Sequence, residues 1–142
     1  MSDVLTPETF DFVLTNELKR AARSQNFVTL VLMQPRAEAR EEAVRETAGL
    51  VSTELRETDL LATDEAGLWM VLLDTDLPNS SRVIERLMGR LEHYQFTAPM
   101  DLEVGAACCP THGSDVATLR RVATEARRTL RRPDAHGTAQ AQ

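Results

Sequence analysis

The sequence predicts an α/β fold of the α+β kind, a ferredoxin-like β-α-β-β-α-β core with an extra helix at each end. Three observations predict it. Continuous or alternating apolar runs of strand length alternate with amphipathic stretches of helical period. Two of the strands are separated only by a short polar turn, Asp64-Glu65-Ala66-Gly67. The order of elements after the first helix is that of the split βαβ arrangement, a mixed or antiparallel sheet with helices largely on one face.

Taken in order, Asp3-Val4-Leu5-Thr6-Pro7 reads as a turn and helix start, with Pro7 and Glu8 suited to a first helical turn. Phe10, Leu14, Leu18 and Ala21 then recur at helical spacing to about Arg23. Phe27 to Met33 is an unbroken apolar run with β-branched members, the pattern of a strand buried on both faces, and Pro35 is expected to end it. From Ala37 to Glu57 the period is helical again, with Val44, Ala48, Val51 and Leu55 on one face. Leu60–Thr63 and Leu68–Leu73 form the hairpin. Pro78-Asn79-Ser80-Ser81 reads as loop and cap, and Ile84, Leu87, Leu91 and Tyr94 mark a third amphipathic helix. Leu102 to Cys109 is a fourth strand, closed by Pro110. His112 to Asp115 is a loop and cap. A last helix is expected from Val116 to Arg132, with Leu119, Val122, Ala126 and Leu130 inward and Pro133 as its stop. No repeat or linker is visible, so one domain is expected over residues 1–132, followed by a frayed polar tail at 133–142.

Composition narrows the function. The chain has 142 residues, enough for one core, with ordinary apolar (42%) and charged (27%) fractions. A net charge of -6 disfavours non-specific nucleic-acid binding. No apolar run approaches the roughly 20 residues that span a bilayer, and no secretory signal is visible. Cys108 and Cys109 are adjacent, a strained geometry for a disulfide, so a reduced, cytoplasmic protein is expected, with the cysteines in a packing role. His93, His112 and His136 lack metal-ligand spacing, so no metal site is expected. Ser114, Asp115 and His112 are too local for a nucleophilic triad and read as cap chemistry. The last predicted helix carries Arg120, Arg121, Arg127, Arg128, Arg131 and Arg132 on one broad face. That face suits either an acidic or phosphate-bearing partner or plain solvation beside a helix C-terminus.

Order and spacing of short motifs resemble those of the GGDEF (diguanylate cyclase) domain over nearly the whole chain. Asp3-Val4-Leu5-Thr6 looks like that family's opening D-x-L-T turn, and Phe10, Leu14, Glu17-Leu18, Arg20-Ala21 and Arg23 follow its first-helix pattern. Arg56-Glu57-Thr58-Asp59 resembles its R-x-x-D motif and stands at the matching distance before Glu65. Val71-Leu72-Leu73, Ile84-Glu85-Arg86-Leu87, Val104-Gly105-Ala106-Ala107 with Pro110 and Gly113, and Leu119, Ala123 and Ala126 are similar to later segments.

The departures lie where the chemistry should be. The signature positions read Glu65-Ala66-Gly67-Leu68-Trp69, with Leu68 at the essential acid and Trp69 at the phenylalanine. The metal-binding aspartate of the family falls near Gln34-Pro35, the guanine-holding loop has no counterpart, and the segment between Pro35 and Arg56 is short. Arg131 stands near the family's phosphate-contacting basic residue, among neighbours that do not match. Phosphoryl transfer between nucleotides needs Mg²⁺ held by converging carboxylates, so catalytic residues and cofactors are expected to be absent.

The resemblance therefore implies a degenerate, catalytically inactive signalling module. Its expected partner is a signalling or effector protein supplied in trans, with Arg120, Arg127, Arg128 and Arg131 as candidate docking residues. It also implies an alternative, a receptor for cyclic di-GMP. In the family R-x-x-D is the inhibitory site for that ligand, which would assign Arg56 and Asp59, with Arg86 as a further contact and ligand-linked homodimerisation as one consequence. Arginine forks suit phosphate and the guanine edge. The bland reading of the same residues is a cation at a helix end and an aspartate that caps or pairs with it.

Overall fold

The computed structural model describes residues 3–131. The apolar runs form a six-stranded sheet built from β1 (Val4–Leu5), β2 (Val28–Arg36), β3 (Leu60–Asp64), β4 (Gly67–Leu73), β5 (Asp101–Cys109) and β6 (Arg128–Arg131) in the order β1-β3-β4-β2-β5-β6. The inner four strands pair antiparallel, β3 with β4, β4 with β2 and β2 with β5, which is the ferredoxin-like order. β1 adds a parallel strand to one edge and β6 an antiparallel one to the other.

Four helices cover this sheet: α1 (Pro7–Ser24), α2 (Arg40–Glu54), α3 (Leu77–His93) and α4 (Val116–Glu125). They divide between both faces, correcting the expectation of one covered face. Val31, Met33, Met70 and Leu72 pack with Ala48, Val51, Leu87 and Leu91 of α2 and α3. Their strand neighbours Leu30, Leu32, Trp69 and Val71 point the other way, toward Phe10, Leu14, Leu18, Leu119 and Ala123 of α1 and α4. Double coverage is why β2 reads as a continuous apolar run rather than an alternating one. On the α4 side the sheet has no depth to spare at Gly105, where a Cβ would lie 1.9 Å from the Ala123 carbonyl oxygen.

Capping follows local chemistry. Thr6 caps α1 by accepting from the Thr9 amide, and Asp115 caps α4 by accepting from the Thr118 amide and hydroxyl. α3 begins earlier than the sequence suggested. Asp76 is its cap, and Pro78 to Ser81 form its first turn rather than a loop, because proline at a first helical turn gives up no internal hydrogen bond. α2 is shorter than expected at both ends and stops before Arg56.

Pro35 does not end β2. It pairs with Leu102 on the β5 side, beyond the point where pairing to β4 stops at Met33–Leu68, so one side of the strand has no ladder to lose. β1 stands where the sequence predicts only a turn, because Val4 and Leu5 pair with Leu61 and Ala62 at the open edge of β3.

The largest correction concerns the C-terminal helix. α4 ends at Glu125, and Arg128 to Arg131 pair with β5 as β6. Pairing of the open β5 edge overrides the helical preference of the arginines and Leu130, since tertiary context outweighs propensity. Arg127, Arg128 and Arg131 therefore do not share a helix face with Arg120, and Leu130 is partly exposed rather than inward. Arg132 and the tail expected at 133–142, with His136, lie outside the described residues.

Cys108 and Cys109 are free thiols, both buried, and burial pushes the Cys109 thiol up. His112 accepts the Cys108 amide on Nδ1 at 2.9 Å, a turn-stabilising role. None of the described helices is long and apolar enough to cross a membrane.

Candidate functional site

Two ends of the β3–β4 pair carry the residues singled out in the sequence. At the first, α2 hands over to β3 through Arg56–Asp59. The Asp59 carboxylate is buried, with 3% of its side chain exposed. One oxygen accepts from the Arg56 backbone amide and from Nε, both at 3.1 Å; the other accepts from Arg56 Nη2 at 2.9 Å and from the Leu73 amide at 3.3 Å. Arg56 Nη2 also donates to the Leu73 carbonyl at 2.7 Å. A bidentate fork thus ties the start of β3 to the end of β4. The hydrogen bond to Asp59 is the main reason that the Arg56 guanidinium holds its proton more tightly than usual.

Arg56 itself remains 58% exposed. Arg86, the third residue expected here, lies on α3 at 3.9 Å from Glu54 of α2, and Arg90 approaches the same carboxylate at 3.3 Å. The cations Arg56, Arg86 and Arg90 therefore gather around the C-terminal end of α2, where helix carbonyls favour positive charge.

At the other end, Asp64 pairs with Gly67 across a two-residue turn, Glu65-Ala66. Asp64 Oδ1 accepts from the Ala66 amide at 2.8 Å and the Gly67 amide at 3.3 Å, which fixes the turn. Gly67 is required there. Its φ is +140°, and a Cβ would stand 2.7 Å from the Met33 carbonyl oxygen.

The carboxylate also accepts the Trp69 indole N–H at 3.0 Å, and Arg120 lies 4.6 Å from the centroid of that ring. Arg120 reaches from α4 to Asp11 of α1 and to within 3.5 Å of Asp64. Trp69 is therefore core, and Arg120 is spent inside the fold.

Gln34, near the family's metal-binding aspartate, is wired at both polar ends. Its Nε2 donates to the Ala66 carbonyl at 2.8 Å, and its Oε1 accepts from Arg127 Nη1. Arg127 also donates to the Thr124 carbonyl at 2.8 Å and lies 3.8 Å from Glu103. Arg40 donates to the Glu65 carbonyl from the start of α2. A neutral amide and two guanidinium groups stand around this turn, and the Asp64 carboxylate there already accepts from the Ala66 and Gly67 amides and the Trp69 indole N–H. Guanidinium groups beside a carboxylate already engaged match Mg²⁺ poorly, since it takes several oxygen ligands and favours converging carboxylates. Among the described residues no group of three or more His, Cys, Asp or Glu side chains is placed to hold a metal ion.

This geometry can be compared with known proteins. The chain superimposes on a DGC protein from Thermotoga maritima with a TM-score of 0.76 at 13% identity, covering 87% of this chain and 95% of that one. It matches the GGDEF domain of YfiN (also TpbB) from Pseudomonas aeruginosa with a TM-score of 0.72 at 16% identity over 87% of each chain. The fold is that of a GGDEF domain.

A third match is the diguanylate cyclase SiaD from Pseudomonas aeruginosa, solved in complex with its activator SiaC, with a TM-score of 0.72 at 17% identity over 87% of this chain and 53% of that one. No family model and no curated protein matches the sequence. Within that fold, Arg56–Asp59 and the turn at Asp64–Gly67 sit at opposite ends of the β3–β4 pair.

Of the four arginines expected on a docking face, Arg120 and Arg127 are internal connectors. Arg131 donates to the Met100 carbonyl at 2.6 Å beneath the Phe96 ring, and Arg128 remains exposed on β6. The role of Gln34 as a connector was not read in the sequence. Its partners Ala66 and Arg127 are distant along the chain, and the one available signal was its place where a strand-end carboxylate was expected.

Proposed function

We propose that this protein is a non-catalytic signalling module of GGDEF fold that acts through contact with another protein. The observation that carries this reading is the Gln34 amide. It is held between the Ala66 carbonyl and the Arg127 guanidinium, at the turn where nucleotide chemistry would need acidic oxygens. Leu68 supports it, being fully buried at the position of the essential acid. Partnership in trans has a parallel in SiaD, which was solved with its activator SiaC. The test is incubation of the purified protein with GTP and Mg²⁺ or Mn²⁺. The reading expects no cyclic di-GMP above a buffer control.

A second reading, a cyclic di-GMP receptor using Arg56, Asp59 and Arg86, draws on one observation. Arg56 is more than half exposed and shares the end of α2 with Arg86. The first reading is preferred because both Asp59 oxygens already serve Arg56 and the Leu73 amide, and a ligand would have to compete with these internal donors. Calorimetric titration with cyclic di-GMP separates the two. Saturable heat that disappears in Arg56→Ala favours the receptor, and absence of heat favours the contact module.

A further inference from the structure

On the face covered by α2 and α3, the helix layer stops short of the sheet edge. Beside α3 lies an open groove of about 720 Å³, walled by Ile84 and Met88, floored by Val104 and Ala106 of β5, and closed at its far side by Leu130 of β6. The opposite face of β5 is covered by α4, so the groove is a missing place in one helix layer. Ile84, Met88 and Ala106 pack their inner sides on the core and leave the outer sides uncovered.

Two further features face the same space. Gly89 lies inside α3 with nothing within 4 Å of where its Cβ would be, so no internal neighbour accounts for a residue that weakens a helix. Glu85 on the α3 bank and Arg128 on the β6 bank are exposed, and their side chains form no ion pair among the described residues.

We propose that this groove docks an amphipathic helix from a partner protein, with an apolar stripe on Ile84, Met88 and Leu130, a basic residue toward Glu85 and an acidic residue toward Arg128. The proposal rests on the protein-contact reading and names its surface. A helix is the occupant because an added helix continues the α2–α3 layer, and the open space at Gly89 admits the close approach of another backbone. A second copy of the chain fits less well. Antiparallel pairing of two β6 edges in full overlap would set Arg128 against Arg131, like charges directly opposed. Residues 132–142 offer only Pro133 and three alanines as apolar side chains to fill the groove.

The test uses the full chain, ¹⁵N-labelled, and two synthetic helical peptides. One carries a leucine stripe flanked by lysine on the Glu85 side and glutamate on the Arg128 side; its twin has those charges exchanged. The matched peptide is expected to shift the amides of Met88, Gly89, Ala106 and Leu130. Its twin is expected to bind roughly fivefold more weakly, the scale of two rim ion pairs. Gly89→Leu fills the groove while improving helix propensity, so it should retain the fold by thermal melt and lose peptide binding.

Unshifted groove amides, equal binding of the twin, or unchanged binding by a folded Gly89→Leu would overturn the proposal. Concentration-dependent shifts of the same amides without peptide would also overturn it, in favour of self-association. Failure of the peptide removes this groove and leaves the protein-contact reading standing, whereas turnover of GTP removes that reading whatever the peptide does.

Discussion

The two ends of the β3–β4 pair invert what their letters suggest. At the Arg56 end the residues resemble the R-x-x-D motif, yet their aspartate is buried and its acceptors serve the chain itself. At the hairpin end the resemblance lapses, yet the residues there are as thoroughly connected. Asp64 holds the turn and Trp69, Gln34 holds the turn and Arg127, and Arg40 holds Glu65. The difference teaches that matching residue types do not decide whether a site is open to a ligand. The lone pairs and N–H groups left over after folding decide it.

Mutations can break this comparison. The largest effect is expected for Asp59→Ala, which removes a buried carboxylate from the Leu73 amide and from the Arg56 amide and guanidinium and should cost about 3 kcal/mol in chemical denaturation. A cost near zero would mean that the pair is held ready for a ligand instead. At the hairpin end, Gly67→Ala should cost about 2 kcal/mol, because a Cβ at positive φ meets the Met33 carbonyl. Gln34→Ala, which releases one amide from two partners, should cost about 1 kcal/mol by the same measurement.

The smallest effect lies away from both ends and serves as a reference. The Thr118 amide and hydroxyl hold the Asp115 carboxyl below the usual carboxylate range. A depressed folded-state pKa gives stability that is present above the unfolded value, about 3.9 for aspartate, and is lost as pH falls through the folded one. Fraying of the first turn of α4 should therefore appear only in acid, and amide exchange at Thr118 should report it. In Asp115→Asn that acid dependence should vanish.

The order of elements was legible because doubly buried strands and amphipathic helices write their periods plainly, as in Phe27–Met33 and Phe10–Ala21. β6 was not, because Leu119, Val122, Ala126 and Leu130 continue a helical spacing through it and only the open edge of β5 breaks that spacing. The double coverage of the sheet was missed since the ferredoxin-like core assigns α2 and α3 to one face and leaves α1 and α4 unplaced. The pairing within Arg56–Asp59 was legible as the bland reading, being a contact three residues apart. The wiring of Arg120 to Asp11 and of Arg127 to Gln34 spans 109 and 93 residues, and no local pattern announces contacts of that range.

The central claim is that the hairpin end is built for structure and carries no nucleotide chemistry. It is tested most directly by the rate of cyclic di-GMP formation from millimolar GTP and Mn²⁺ by the purified protein, set against a heat-denatured sample. The account predicts equal, background product in both. Product that accumulates with time in the folded sample alone, and stops on chelation of the metal, would contradict it.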